Sequence, residues 1–187
     1  MKMTEILKDS PIIAAVKDSA GLQEALKCDS EVFFILFGTI CNIDEIVERA
    51  KSAGKIVFVH LDLVEGLAGK DVAVDFLKKN TRLDGIISTK PPLLKYAKSQ
   101  GLLTVQRFFL LDSIAAANID RQFATSRPDM VEVLPGLMAD AIGEIAKKHP
   151  ETPVIAGGLI RTEEEVLAAL GAGAAAVSST NRDVWFM

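Results

Sequence analysis

The chain has 187 residues, 49% of them hydrophobic and 25% charged, with a formal net charge of −4, a pI near 5.3 and a mean hydropathy of +0.27. That is one domain's worth of sequence, long enough to bury a substantial core, and its acidity argues against a general polyanion binder. No window approaches the roughly 20 apolar residues of a membrane span, the N-terminus has no signal-peptide core, and Cys28 and Cys41 lack metal spacing, so a cytoplasmic protein without membrane association is expected.

Apolar runs alternate with helical periodicity from end to end. Strands are predicted at 12–16, 32–37, 56–60, 85–88, 102–106, 130–133, 154–156 and 175–178, with helices near 21–27, 42–53, 71–79, 92–99, 113–123 and 137–148. The clearest helix, 42–53, has Asn42 and Glu45 as a cap, Ile43, Ile46, Val47 and Ala50 as its buried stripe, and Gly54 as its stop. Eight βα units without a domain break predict a compact single-domain (β/α)8 TIM-type barrel over residues 1–187, small for a fold that usually needs about 200 residues or more. A doubly wound open sheet is the alternative, but no G-x-G-x-x-G turn follows an early strand.

The most informative stretch is the last. In PVIAGGLIRTEEEVLAALGAGAAAVSSTN, residues 153–181, a short strand meets Gly157-Gly158, where backbone approaches a ligand closely. Thr162 and Glu165 form a capping box, and Gly171 is the expected helix stop. The next strand ends in Ser178, Ser179, Thr180 and Asn181, with a short final helix beginning there. Loops after the last two strands of a parallel barrel build phosphate sites from hydroxyls and peptide N–H groups, so a phosphate site is expected.

Function in a barrel sits at the C-terminal ends of the strands. Those ends supply the cations Lys17, Arg107 and Lys90, with Arg161 in the seventh loop. They also supply the acceptors Asp62 and Glu132, with His60, Ser88, Thr89 and Gln106; strand alternation places His60 and Asp62 on one side. The set suits a small phosphorylated polyol, its phosphate on guanidinium and amides and its hydroxyls on carboxylates. A catalytic reading stays open, with His60 as acid–base and Asp62 and Glu132 on a hard divalent metal. No H-E-x-x-H or G-x-S-x-G motif accompanies it. The strand phenylalanines, Phe109 among them, are expected in barrel core or strand–helix packing, and His149 at the surface. Residues 66–107 hold eight Lys/Arg against three Asp/Glu in an otherwise acidic chain, so an anion-facing surface is expected there.

Six strings, HLDLVEGL (60–67), DGIISTK (84–90), VQRFFLLDS (105–113), EVLPG (132–136), AGGLIRTEEEV (156–166) and SSTNRDVW (178–185), resemble the glycerol-3-phosphate-responsive antiterminators of bacterial glycerol uptake operons. The resemblance runs from about Ile12 to Trp185. It implies a cytosolic, non-enzymatic regulator that needs no cofactor, takes glycerol 3-phosphate as ligand and then binds an mRNA leader to prevent premature termination. The implied ligand rim is His60, Asp62, Ser88, Thr89, Gln106, Arg107, Glu132, Gly157, Gly158, Arg161, Ser178, Ser179 and Asn181, with Lys17 standing where the family pattern implies an arginine. The RNA surface then falls to Lys78, Lys79, Arg82, Lys90, Lys95 and Lys98, and a homo-oligomer is a possible assembly. The rival is a barrel enzyme acting on a small phosphorylated polyol or a glycerophosphodiester.

Overall fold

The eight apolar runs form eight parallel strands that pair in chain order and close, β1 bonding to both β2 and β8, in a computed structural model that describes residues 3–187. The strands are β1 (Ile12–Val16), β2 (Val32–Ile35), β3 (Ile56–His60), β4 (Gly85–Ser88), β5 (Leu103–Phe109), β6 (Met130–Leu134), β7 (Val154–Gly157) and β8 (Ala176–Ser179). The helices are α1 (Met3–Asp9), α2 (Ser19–Ala25), α3 (Ile43–Ser52), α4 (Asp71–Asn80), α5 (Pro91–Ser99), α6 (Ser113–Ser126), α7 (Ala139–Lys148) and α8 (Glu163–Ala172). A single-domain (β/α)8 barrel is therefore the fold.

Alternation along each strand sorts side chains between the barrel axis and the helix layer. The axial cluster includes Ile13, Val32, Phe34, Phe58, Ile87, Val105, Met130 and Ile155. The intervening residues pack under the helices, Phe33, Val57 and Ile86 on one half and Val131, Ala156 and Val177 on the other. Phe34 and Phe58 meet edge to face, ring centroids 5.7 Å apart. Gly85, in register with Phe58, leaves room for that ring: a Cβ there would lie 2.4 Å from Phe58 Cε1 and 2.5 Å from the Leu103 carbonyl oxygen.

Short elements on either side of the eight strands pack directly against the barrel. Helix α1, which the sequence pattern does not mark, turns Ile6 and Leu7 into the axial cluster and so closes the N-terminal mouth. After β8 the chain makes only a 3₁₀ turn, Arg182–Phe186, capped by Asn181 and pinned by Trp185 Nε1 donating to the Ser179 carbonyl at 2.7 Å.

Several boundaries differ from the sequence pattern for local reasons. Helix α2 begins earlier because Asp18 accepts from the Gly21 amide at 2.6 Å. Asn42 precedes α3 but turns its side chain back to the Thr39 amide, so the expected Asn42–Glu45 cap does not form. Strand β5 runs on to Phe109 because β6 continues to pair with it, Phe109 opposite Leu134. Helix α8 runs through Gly171, and the left-handed stop falls at Gly173, φ 114°. Changing Gly85 to Ala should destabilise the fold by about 1–3 kcal/mol through overpacking against Phe58, read as a lower urea midpoint with an unchanged slope.

Candidate functional site

Two strand residues dictate the polar centre of the barrel mouth. Arg107 on β5 and Glu132 on β6 are register partners, both face the axis, and both are buried. Arg107 Nε donates to Glu132 Oε2 at 2.6 Å, and the Ser178 hydroxyl of β8 donates to Glu132 Oε1. With Nε committed, the terminal amino groups of Arg107 meet no acceptor among the described residues, and the residue lines a cleft. Gly157 is required beside them: a Cβ would lie 2.6 Å from Glu132 Oε1 and 2.8 Å from Ser178 Oγ.

The cleft opens from this centre between the loops after β7 and β8, with a volume of about 350 Å³. Lys17, Arg107 and Arg161 line it beside Ser178, Ser179, Thr180, Asn181 and Gly158. The sequence reading missed its apolar lining, Ala15, Leu36, Leu134, Leu159 and Ile160. Ala15, Leu36 and Leu134 were open to recognition, as axial positions at strand ends. The two loops are tied together, Ser179 Oγ donating to the Ile160 carbonyl at 2.8 Å and Asn181 Nδ2 to the Arg161 carbonyl at 3.2 Å. Gly158 and Leu159 both have positive φ, 75° and 65°, a conformation that costs a branched residue energy and marks a constrained loop.

The helix that follows offers less to an anion than its position suggests. The capping box is present, with Glu165 Oε2 accepting from the Thr162 amide at 3.1 Å, and the same oxygen also accepts from the Arg161 amide at 2.6 Å. Three carboxylates, Glu163, Glu164 and Glu165, already occupy the first turn. The Asn181 amide is likewise taken by Ser179 Oγ, and that of Asp183 by Asn181 Oδ1. With these amides occupied, the groups of the cleft still open to an anion are the glycine turn and the three cations rather than helix N-termini.

The remaining rim residues form a separate group over β3 and β4. The chain leaves β3 at His60 and makes a 3₁₀ turn, Leu61–Leu63, so strand alternation does not govern Asp62. Asp62 Oδ2 accepts from the Ser88 hydroxyl, the Thr89 amide and the Thr89 hydroxyl, at 3.0, 2.9 and 3.2 Å, and Lys90 Nζ lies 3.4 Å from Oδ1. Burial would raise the Asp62 pKa, but the Thr89 amide, the Ser88 hydroxyl and the Lys90 charge hold it below the usual carboxylate value. Burial and then the Arg107 charge push His60 down to about 4 against the pull of Asp62, so the imidazole is neutral at physiological pH. Its Nδ1 is buried without a hydrogen-bond partner. Gln106 lies outside the mouth altogether: it bonds Gln122 at 2.9 Å and the Ser126 hydroxyl, both on α6, because neighbours on a strand face opposite ways.

The basic third does not form one face. Lys78 and Lys79 end α4, Arg82 follows it and Lys98 ends α5, all at the N-terminal end of the barrel, whereas Lys90 stands on the opposite rim and Lys95 lies between. Lys78 donates to the Gln100 carbonyl, Arg82 pairs with Glu48, and Lys98 pairs with Asp129. His149 is half-buried rather than a plain surface residue, its ring stacked 4.0 Å from Phe123 and 3.0 Å from an Asp120 oxygen. Phe109 is exposed at the rim instead of packed. No group of three or more His, Cys, Asp or Glu residues placed to hold a metal occurs among the described residues, and no helix is long and apolar enough to cross a membrane.

Residues 12–185 match the family model for glycerol-3-phosphate responsive antiterminators. The chain is 45% identical over 185 residues to the uncharacterized protein YgcP of Escherichia coli K12, covering 99% of this chain and 96% of that one. Its fold matches the glycerol uptake operon antiterminator regulatory protein of Listeria monocytogenes with a TM-score of 0.89 and 35% identity, over 93% of this chain and 94% of that one. A glycerol uptake operon antiterminator-related protein of Thermotoga maritima matches with a TM-score of 0.85 and 39% identity, over 95% and 99% of the two chains.

Two outcomes follow from the buried polar groups. Glu132→Ala leaves the Arg107 charge buried and unpaired, and should cost about 3–5 kcal/mol of stability in chemical denaturation. Below pH 6.5 the unfolded chain binds a proton at His60 that the native state refuses until about pH 4. Stability therefore falls with pH across that window, by about 3 kcal/mol more in the wild type than in His60→Asn, measured as urea midpoints at a series of pH values.

Proposed function

The chain belongs to the glycerol-3-phosphate responsive antiterminator family, and we propose that it senses glycerol 3-phosphate in the cleft and, when loaded, binds an mRNA leader to suppress premature termination. The observation that carries this reading is the charge of the cleft. Lys17, Arg107 and Arg161 against the single carboxylate Glu132 leave a net +2 among its lining residues, which complements a phosphate monoester dianion. The charges are also sorted. Arg107 and Glu132 neutralise each other at the deep end, suiting uncharged hydroxyls, while Lys17 and Arg161 are exposed and remain for the phosphate. Apolar contacts from Leu36, Leu134 and Leu159 suit a three-carbon chain.

A non-enzymatic role agrees with the state of the titratable groups. His60 is buried and neutral, and both oxygens of Glu132 are engaged. RNA contact is assigned to the lysines of α4 and α5, Lys78, Lys79, Lys95 and Lys98, acting through phosphates and therefore weakening steeply with salt. Ligand control requires that the RNA-competent conformation hold glycerol 3-phosphate more tightly than the incompetent one.

Calorimetry with glycerol 3-phosphate tests the site. Arg161→Ala and Lys17→Ala should each weaken binding by about 1–3 kcal/mol, roughly 5- to 150-fold. Glycerol without phosphate should give no thermal shift. Unchanged affinity in both variants would refute the assignment of the cleft.

A further inference from the structure

Beyond the cleft, the exposed surface is sorted by character. An apolar rim, Phe109, Leu111, Leu137, Met138 and Leu159, borders the mouth beside the exposed carboxylates Asp112 and Asp140. The opposite holds between α5 and α6. A groove of about 520 Å³ there is lined by the cations Lys95, Lys98 and Arg127 and by the hydroxyls of Ser99, Thr125 and Ser126. No carboxylate lines it, in a chain whose net charge is −4. Both helices end here, and their negative poles oppose an anion. Lys98 covers that of α6, donating to the Arg127 carbonyl at 2.8 Å, and pairs with Asp129 just outside the groove. Lys95 and the Arg127 guanidinium are then left, exposed and without an acceptor among the described residues. Arg127 is held at φ 44°, the left-handed helix end that glycine occupies most easily.

We propose that this α5/α6 groove, anchored by Arg127, seats the RNA backbone, and that Gln106 ties it to the ligand cleft; the proposal rests on the sensing and RNA reading above. The lining chooses the occupant. A protein partner would bring apolar side chains, for which the groove offers only Ala124, whereas phosphates and sugars are met by cations and hydroxyls. The tie runs through β5. Arg107 turns its free donors into the cleft, and Gln106, the residue before it, is buried on the other face under α6. Gln106 Nε2 donates to Gln122 Oε1 at 2.9 Å, and Gln106 Oε1 accepts from the Ser126 hydroxyl. Ser126 lines the groove and precedes Arg127. Its single proton has a second acceptor in reach, the Gln122 carbonyl at 3.0 Å. In one arrangement the last turn of α6 is held to β5; in the other that turn bonds only itself. A ligand pulling on Arg107 and a phosphate pulling on Arg127 both bias this choice, which is what coupling between two sites requires.

Phosphate contacts carry no sequence, so fluorescence anisotropy with a labelled mixed-sequence RNA 20-mer, with and without glycerol 3-phosphate, tests the proposal on the full chain. Lys95→Ala and Arg127→Asn should each weaken RNA binding by the loaded protein about tenfold. Each should also lower the slope of log affinity against log salt by about 0.7. Asparagine accepts the left-handed backbone, and circular dichroism melts at wild-type values confirm that these exposed variants fold. Gln106→Met and Ser126→Ala should each bring the ratio of RNA affinities with and without ligand down to about one, and the double variant should add nothing further. Both should still show the thermal shift with glycerol 3-phosphate, which reports on the cleft alone. A wild type that binds no RNA in either condition overturns the RNA reading and the groove with it. Binding lost in Lys78→Ala/Lys79→Ala but kept in Lys95→Ala and Arg127→Asn overturns the groove and leaves the RNA reading standing. A Gln106→Met protein that keeps the full ligand dependence overturns the tie.

Discussion

A buried ion pair organises the mouth of this barrel. Taking Arg107 and Glu132 out of water costs several kcal/mol per charge, and only close pairing with further hydrogen bonds offsets that cost. The β5–β6 register sets the two residues side by side, and Ser178 satisfies the second carboxylate oxygen. The same geometry forbids a side chain at residue 157, because its Cβ would overlap both Glu132 and Ser178. A glycine that reads in sequence as part of a phosphate loop is therefore demanded first by the packing of an ion pair. The pair in turn fixes the arginine by its Nε, so that a fork of donors faces the cleft with little conformational entropy left to lose on binding.

The ends of the chain reinforce that arrangement. Helix α1 fills the N-terminal mouth, which leaves the C-terminal mouth as the open end. The terminal 3₁₀ turn is anchored through Trp185 to the carbonyl of Ser179, the same residue whose hydroxyl bonds the loop after β7. Tail, β8 and cleft wall thus form one connected unit. A substitution at Trp185 would be felt in the cleft without touching it.

The strands were legible because a parallel barrel buries both faces of each strand, leaving near-continuous apolar runs bounded by glycine turns. The capping box at Thr162 was equally legible, since local spacing alone specifies it. What failed was the reading of side-chain direction. Gln106 and Arg107 are consecutive on one strand and cannot both enter the mouth, a parity the sequence contains but a roster of polar strand ends ignores. His60 and Asp62 do lie close enough to interact electrostatically, but the 3₁₀ turn rather than strand parity brings them together. The apolar rim had no sequence signal at all: Leu111, Leu137 and Leu159 sit in loops, where no periodicity tells an inward leucine from an outward one. Glu165's second acceptance, from the Arg161 amide, was hidden for the opposite reason, since the capping box already accounted for the residue.

Leu159 joins the two surfaces of the rim. It lines the cleft, yet it is 59% exposed, and its backbone holds a left-handed conformation unfavourable to leucine. A ligand that fixes this loop and a partner that packs on it act on the same dihedral angles. Any difference in how tightly each holds that conformation becomes a coupling free energy between them, and linkage makes the coupling equal in both directions. The loop after β7 is thus a second place, beside Gln106, where occupancy of the cleft could be converted into a change of protein surface.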